Sequence, residues 1–203
     1  VLQHLAAQAV VLRGFALPGA AQLYEALATL LQQSPWRRLY TPGGKPMAVE
    51  TSNCGSAGWI SDHQGYRYSS IDPLGGQPWP VMPPAFGELA AKAALAAGFA
   101  GFEPDVCLIN RYAIGAGMGL HQDRDEQDFT APIVSVSLGL PARFRFGGLL
   151  RTDPLQSVLL EHGDVVVWGG ESRLAFHAIT PLRTGDHPLT GSCRINLTFR
   201  KAR

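Results

Sequence analysis

Cys193-Arg194-Ile195-Asn196-Leu197-Thr198-Phe199-Arg200 alternates strictly, with Cys, Ile, Leu and Phe on one face and Arg194, Asn196, Thr198 and Arg200 on the other. A period of two is the signature of a β-strand, because successive side chains leave opposite faces of the pleat. An ordinary half-exposed strand would simply solvate the polar face. This one sits in the most apolar region of the chain, which predicts that both faces are covered. Two covered guanidiniums then need anionic partners, since an unpaired buried charge costs several kcal/mol. The late chain offers few acids for that task, whereas a small dicarboxylate would serve. Arg194 and Arg200 are six residues apart, about 20 Å along an extended strand at ~3.3 Å per residue. Their long side chains could lean in and grip the two ends of one molecule.

Outward from that strand the same period recurs. Val106 to Tyr112, Ile133 to Leu140, Arg143 to Phe146, Ser157 to Leu160, Val165 to Trp168 and Leu174 to Ile179 all read as short strands. Glu161-His162-Gly163-Asp164 is a turn with Gly where positive φ is needed. At least seven strands with polar turns predict a two-sheet sandwich or jelly roll.

The first half is different. Ala20 to Gln32 carries Leu23, Leu27, Leu30 and Leu31 on one helical stripe, and Pro35 disfavours helix at Ser34. Ala85 to Ala97 carries Phe86, Leu89, Ala93 and Ala97, with Gly98 as its stop. Between them, residues 35–84 are rich in Gly, Pro, Ser and aromatics, with short strands possible near Met47 to Ser52 and Gly65 to Ser69. A connection that long inside a compact domain predicts a functional lid or binding loop.

Composition bounds the function. The 203 residues, 46% hydrophobic and 16% charged, suit one globular domain with a sizeable core, expected as a monomer. A net charge of +1 argues against extended, non-specific duplex binding. Cys54, Cys107 and Cys193 are scattered and odd in number, which reads as reduced thiols of a cytoplasmic protein. No apolar run approaches the roughly 20 residues of a membrane span.

Chemistry enters at Gly119-Leu120-His121-Gln122-Asp123-Arg124-Asp125-Glu126. On an extended segment His121 and Asp123 leave from the same face. His177 is the third ligand candidate. Two imidazoles and one carboxylate can cap one face of an octahedral metal, which is the ligand set of non-haem Fe(II) oxygenases. His-x-Asp alone is a weak signal, and a solvated loop with a capping Asp is its competing reading. A dicarboxylate beside such a metal suggests a 2-oxoacid co-substrate.

Asn110-Arg111-Tyr112, His121 to Glu126, Pro132 to Pro141, Phe146-Gly147-Gly148, Leu160 to Ser172 and Arg194 to Arg200 together resemble the bacterial AlkB proteins. These are Fe(II)- and 2-oxoglutarate-dependent dioxygenases that repair alkylated DNA bases. The resemblance implies a mainly β (α+β) fold, a double-stranded β-helix or jelly roll with supporting N-terminal helices and a nucleotide-recognition lid. It implies one domain over 1–203, with an extension and lid to about residue 100 and a catalytic core from about 101. His121, Asp123 and His177 match the iron ligands. Arg194 matches the group near the iron-binding carboxylate of 2-oxoglutarate, and Arg200 the partner of its distal carboxylate, with Asn196, Asn110 and Tyr112 around them. Trp59 would stack on the base against His121, Tyr66 would hold the phosphate, and Tyr68 lies in the lid. Asp125 would face the exocyclic edge of the base, and Thr41 and Arg151 would touch the nucleic-acid backbone.

The implied reaction is oxidative dealkylation with Fe(II), 2-oxoglutarate and O₂, releasing succinate, CO₂ and formaldehyde. Its substrates would be N-alkylated bases such as 1-methyladenine and 3-methylcytosine, in single strands or flipped from a duplex. A related enzyme acting mainly on RNA, and a non-catalytic jelly roll that senses a dicarboxylate, stay open as alternatives. The chain also departs from its relatives: Ile114, Gly117 and Thr51 stand where bacterial relatives often have Pro, Lys and Met, and Arg124 where they have Lys. The glycine-rich loop 115–119 is expected to be more mobile and to lack one cationic contact.

Overall fold

A computed structural model describes all of residues 1–203. In chain order it comprises β1 (Leu2–Ala6), β2 (Ala9–Leu12), α1 (Ala20–Gln33), β3 (Glu50–Gly55), β4 (Gly58–Asp62), β5 (Gly65–Ser69), β6 (Ile71–Asp72), β7 (Gln77–Pro78), α2 (Pro84–Ala96) and β8 (Val106–Ala113). Then come β9 (Met118–His121), β10 (Ile133–Gly139), β11 (Ala142–Phe146), β12 (Gln156–Leu160), β13 (Val165–Trp168), β14 (His177–Ile179) and β15 (Cys193–Arg200). A seven-stranded sheet runs β1-β2-β13-β10-β15-β8-β3, and a four-stranded sheet runs β12-β11-β14-β9. The two face each other as the predicted jelly roll.

The two faces of the large sheet have different partners, which explains the alternation in β15. One face carries Ile195, Leu197 and Phe199 with Val134, Val136, Leu138, Val165 and Val167, and buries them against the helices. Helix α1 contributes Leu23, Leu27 and Leu30 to this core, while Leu31 is only half-buried. Helix α2 contributes Phe86, Ala90, Ala93 and Ala94 rather than the predicted Phe86, Leu89, Ala93 and Ala97. The stripe is rotated because the small alanines let the helix approach the sheet, and Leu89 packs at the edge. Gly98 adopts φ +92° after the helix, where the Phe99 amide donates to the Ala94 carbonyl at 2.8 Å. The opposite face of the sheet looks into the roll and carries the polar residues of β15.

The sheet also reaches further back in sequence than a boundary near residue 100 implies. Strands β1, β2 and β3 all belong to it, so the first hundred residues are not an appendage to the core. Residues 2–12 were not legible as strands because Ala9 to Leu12 are all buried and give no period. In contrast, the strand expected from Leu174 is ordered as strand only from His177. A short 3₁₀ turn at Gly170–Ser172 precedes it. Gly163 sits at φ +83°, as the Glu161–Asp164 turn requires.

The long segment 35–84 is organised by a two-residue hairpin, β4–β5, that projects beside the site. Asn53 on β3 anchors it. Its Oδ1 accepts from the Trp59 amide at 3.0 Å, and its Nδ2 donates to the Trp59 carbonyl at 3.1 Å. Asn53 is 1% exposed, so these two bonds are made out of water. Asn53→Ala is expected to cost about 2 kcal/mol by orphaning both backbone groups. Faster amide exchange confined to residues 58–69 would be its signature, and unchanged protection there would remove Asn53 as the anchor.

The turn before β9 is pinned to Leu182 at two adjacent residues. The Gly115 amide donates to the Leu182 carbonyl at 2.8 Å and the Leu182 amide to the Ala116 carbonyl at 2.9 Å. Gly117 lies so close to β14 that a Cβ would stand 2.7 Å from the Ile179 carbonyl oxygen. A side chain there would force the strand apart.

Candidate active site

Strand register builds the centre. His177 at the start of β14 lies directly opposite His121 at the end of β9. Asp123 follows two residues later. The ligand atoms of His121, Asp123 and His177 all lie within 4.8 Å of one another. Each imidazole is oriented from behind: His121 Nδ1 lies 2.8 Å from the Gly119 carbonyl oxygen and His177 Nδ1 lies 3.0 Å from that of Ala175. A carbonyl can only accept, so Nδ1 carries the proton and Nε2 is left as the donor atom for a metal. The two Nε2 atoms lie 3.5 and 3.6 Å from the same oxygen of Asp123. The chemistry of this donor set fits a ferrous ion: three converging N and O ligands on one side and open space on the other.

The other Asp123 oxygen is held by Arg200, from Nη2 at 2.6 Å and Nε at 3.0 Å. Burial would raise the carboxyl, but the Arg200 charge and the two imidazoles hold it well below the usual carboxylate range. Burial is the largest single influence on His121 and pulls it down, but the hydrogen bond and charge of Asp123 together with the Gly119 carbonyl leave it above the ordinary imidazole value. A metal at Nε2 would displace any proton held there.

Arg200 is thus already paired with protein acids. Its guanidinium reaches Asp123, Glu126 at 3.3 Å and the Tyr68 hydroxyl at 3.2 Å, all at the metal end of the cavity. The acids that seemed missing from the late chain come from the metal loop. Arg194 is the buried cation left without an anion. It is 1% exposed, donates from Nη2 to the Ser137 hydroxyl at 2.9 Å, and leaves Nε and Nη1 with no partner. Its charged carbon lies 5.0 Å from the centre of the Tyr112 ring, and burial pulls its pKa below the ordinary guanidinium value. Arg194 is thus a buried cation lining the cavity with no protein anion beside it. Arg200 is thus the arginine paired with acids, and Arg194 the one without.

A cavity of about 540 Å³ joins these groups. Asn110, Tyr112, Arg194, Asn196 and Arg200 line it from the large sheet. His121, Asp123 and His177 line it from the small one. Asn196 is committed to Ser135 and Val136, at 2.7 and 3.0 Å. The Asn110 Oδ1 and the hydroxyl of its cross-strand neighbour Thr51 are buried without partners. At the mouth, Trp59 donates from Nε1 to Asp125 at 2.8 Å and stacks on Tyr66, centroids 5.5 Å apart and planes 11° from parallel. Arg151 also lines the cavity and donates to the Leu120 carbonyl at 3.0 Å.

Two expected substrate contacts lie elsewhere. The Tyr68 hydroxyl donates to Glu126 at 2.6 Å, and burial raises its pKa far above that of free tyrosine. It is bonded to Glu126 and Arg200 and does not line the cavity. Thr41 closes its own turn, its hydroxyl accepting from the Lys45 amide at 3.2 Å, and does not line the cavity.

A brace that no local sequence pattern marks stands behind Asp123. Arg173, 3% exposed, donates to the Asp123 carbonyl at 2.7 Å and to Glu126 at 3.1 Å. Gln122 donates to the Leu174 carbonyl at 2.7 Å. Glu126 was visible only as one more acid in an acidic loop. Arg173 follows a turn and carries no periodic signal, so nothing local marked it.

A family model described as the 2OG-Fe(II) oxygenase superfamily matches residues 8–200. The chain is 61% identical over 200 residues to "Alpha-ketoglutarate-dependent dioxygenase AlkB" of Escherichia coli, covering 98% of this chain and 93% of that one. The chain belongs to the AlkB family of 2-oxoglutarate- and Fe(II)-dependent oxygenases. The protein of the same name from Salmonella typhimurium is 58% identical over 98% of this chain and 93% of its own. A solved structure, "The structure of OsALKBH1", superposes with a TM-score of 0.86 at 28% identity, covering 99% of this chain and all of that one. This oxygenase therefore uses Fe(II), 2-oxoglutarate and O₂, and the two-histidine, one-aspartate cluster is its metal site. No helix is long and apolar enough to cross a membrane.

Proposed function

We propose that this oxygenase repairs DNA by oxidative dealkylation of N-alkylated bases such as 1-methyladenine and 3-methylcytosine. It would act as a cytoplasmic monomer on single-stranded or flipped-out substrate. The observation that carries the reading is the Trp59–Asp125 pair at the cavity mouth, an indole face and a carboxylate held together beside His121. A cationic methylated base is attracted by both, to the ring by its quadrupole and to the acid by its charge. The names of the AlkB relatives and of a mouse relative, "Nucleic acid dioxygenase ALKBH1", support a nucleic-acid substrate.

Bound Fe(II), 2-oxoglutarate and O₂ would supply the oxidation: decarboxylation to succinate and CO₂ is coupled to hydroxylation of the N-methyl carbon, whose bond to the base nitrogen then breaks to release that carbon as formaldehyde. The residues of the chain do the placing. Arg194 would hold the distal carboxylate of 2-oxoglutarate, flanked by Tyr112, Asn110 and Asn196. Arg200 keeps Asp123 ionised and leaves its second oxygen facing the histidines. Trp59 and Tyr66 would clamp the base and its phosphate, and Arg151 would meet the backbone. A base inside a duplex cannot reach a centre this deep, so it must be extruded.

Formaldehyde release from matched methylated DNA and RNA oligonucleotides tests the reading. DNA is expected to turn over at least as well as RNA. Release from RNA alone would favour the related RNA enzyme, and release from neither would overturn the proposal. Asp125→Ala is expected to lower kcat/KM for 3-methylcytosine about tenfold while leaving the KM for 2-oxoglutarate unchanged. Equal turnover by the variant would remove Asp125 from base recognition.

A further inference from the structure

The lid hairpin is joined to the metal loop at two points that are neighbours on both sides. Trp59 on β4 and Tyr68 on β5 are cross-strand partners. Residues paired across antiparallel strands present their side chains on one face. Asp125 and Glu126, which receive them, are consecutive. The Trp59 indole donates to Asp125 at 2.8 Å, and the Tyr68 hydroxyl donates to Glu126 at 2.6 Å. The first joint is open to solvent, since Asp125 is exposed and lines the cavity. The second is inside, since Glu126 is 6% exposed.

The inner joint does not stop at Glu126. The Tyr68 hydroxyl also accepts from Arg200 Nη1 at 3.2 Å, so it is used both as donor and as acceptor. Arg200 in turn gives two bonds to the Asp123 oxygen that does not face the histidines. Tyr68 is thus one side chain removed from a metal ligand, although it does not line the cavity. Arg173 ties Glu126 to the Asp123 carbonyl, which makes the metal loop one braced unit. A hairpin bonded to such a unit at two adjacent points cannot shift at one without loading the other. A base that meets Trp59 and Asp125 pulls on the outer joint. The inner joint carries the shift to Arg200, and from there to the Asp123 carboxylate.

We propose that Tyr68 is a positioning residue that couples a seated base to the metal, setting Asp123 through Arg200 when the outer joint is engaged. This role depends on the proposed seating of a methylated base at Trp59 and Asp125, and it deepens that reading by giving the lid a part in the reaction besides holding substrate. Such coupling is reciprocal: the factor that the metal adds to substrate affinity is the factor that substrate adds to metal affinity.

The test is Tyr68→Phe in the full chain, which keeps the ring and removes only the hydroxyl. The probes are a fluorescent single-stranded oligonucleotide with one 3-methylcytosine, and Co(II) with 2-oxoglutarate. The coupling factor is the oligonucleotide Kd without Co(II) and 2-oxoglutarate divided by the Kd with them. In the wild type it is expected to be about tenfold, with the same factor in Co(II) affinity and a shift of the visible Co(II) bands when the oligonucleotide binds. In Tyr68→Phe the factor is expected to fall to about one and the band shift to vanish. Co(II) affinity without oligonucleotide, and oligonucleotide affinity without metal, are each expected to stay within about threefold of wild type, a change smaller than the coupling itself. Coupling that survives in Tyr68→Phe, that is absent from the wild type, or that is lost only together with both separate affinities would each overturn the role of Tyr68. Preference of the wild type for the methylated oligonucleotide over its unmethylated twin keeps the seating of the base standing in those cases. A wild type that binds no methylated oligonucleotide, with or without metal, sinks both.

Discussion

Arg194→Ala is expected to raise the KM for 2-oxoglutarate by two orders of magnitude or more while leaving metal affinity within a few-fold. The reasoning is electrostatic. Arg194 is almost fully buried with two of its guanidinium nitrogens unpartnered, and no acid of the chain reaches it. An uncompensated buried charge costs several kcal/mol, and the ligand carboxylate that completes the pair recovers much of it. Losing such a pair typically costs about 3–5 kcal/mol, which is on the order of a hundredfold or more in affinity. Arg194→Met sharpens the test. It removes the unpaired charge and keeps the volume, so the ligand-free protein is expected to be at least as stable as wild type. Titration calorimetry with 2-oxoglutarate and with Mn(II) separates the two affinities. An Arg194 variant with unchanged 2-oxoglutarate affinity would show that the anion sits elsewhere.

Asp123→Ala is expected to remove tight metal binding and to destabilise the metal-free fold at the same time. One Asp123 oxygen faces both histidines and the other takes two bonds from Arg200. Deleting the carboxylate leaves a buried guanidinium with only Glu126 and Tyr68 beside it. The cost is about 3 kcal/mol, or roughly 6–12 °C in Tm for a chain of this length. Adding Arg200→Met should return most of the stability and none of the metal affinity, since the charge is gone but the ligand is still missing. Thermal unfolding in chelator and Co(II) titration read the two effects apart. A single variant that unfolds at the wild-type temperature would mean that Arg200 does not depend on Asp123.

The two variants together separate arginines that look equivalent in sequence. Both sit on the polar face of β15, both are buried, and the alternation around them is identical. Their roles diverge because the metal loop brings Asp123 and Glu126 to one end of the strand and nothing acidic to the other.

The alternation of β15 and its neighbours was enough, by itself, to predict a sheet covered on both faces. The leucine stripe of α1 was enough to predict a helix packed on it. His-x-Asp, a distant His and two arginines on one strand face were enough to suggest a metal and a dicarboxylate. These are readable because strand and helix periods are local, and because ligand chemistry is written in residue types. Tertiary structure decided what depends on convergence. It placed β1 to β3 in the main sheet, turned Tyr68 from the substrate to the back of the metal loop, and braced Asp123 with Arg173 from across the fold. It also gave Arg200 the acids of the metal loop and left Arg194 with none. A charge takes its role from whichever opposite charge the packed chain leaves within about 4 Å, and that distance is fixed by the fold, not by spacing along the chain.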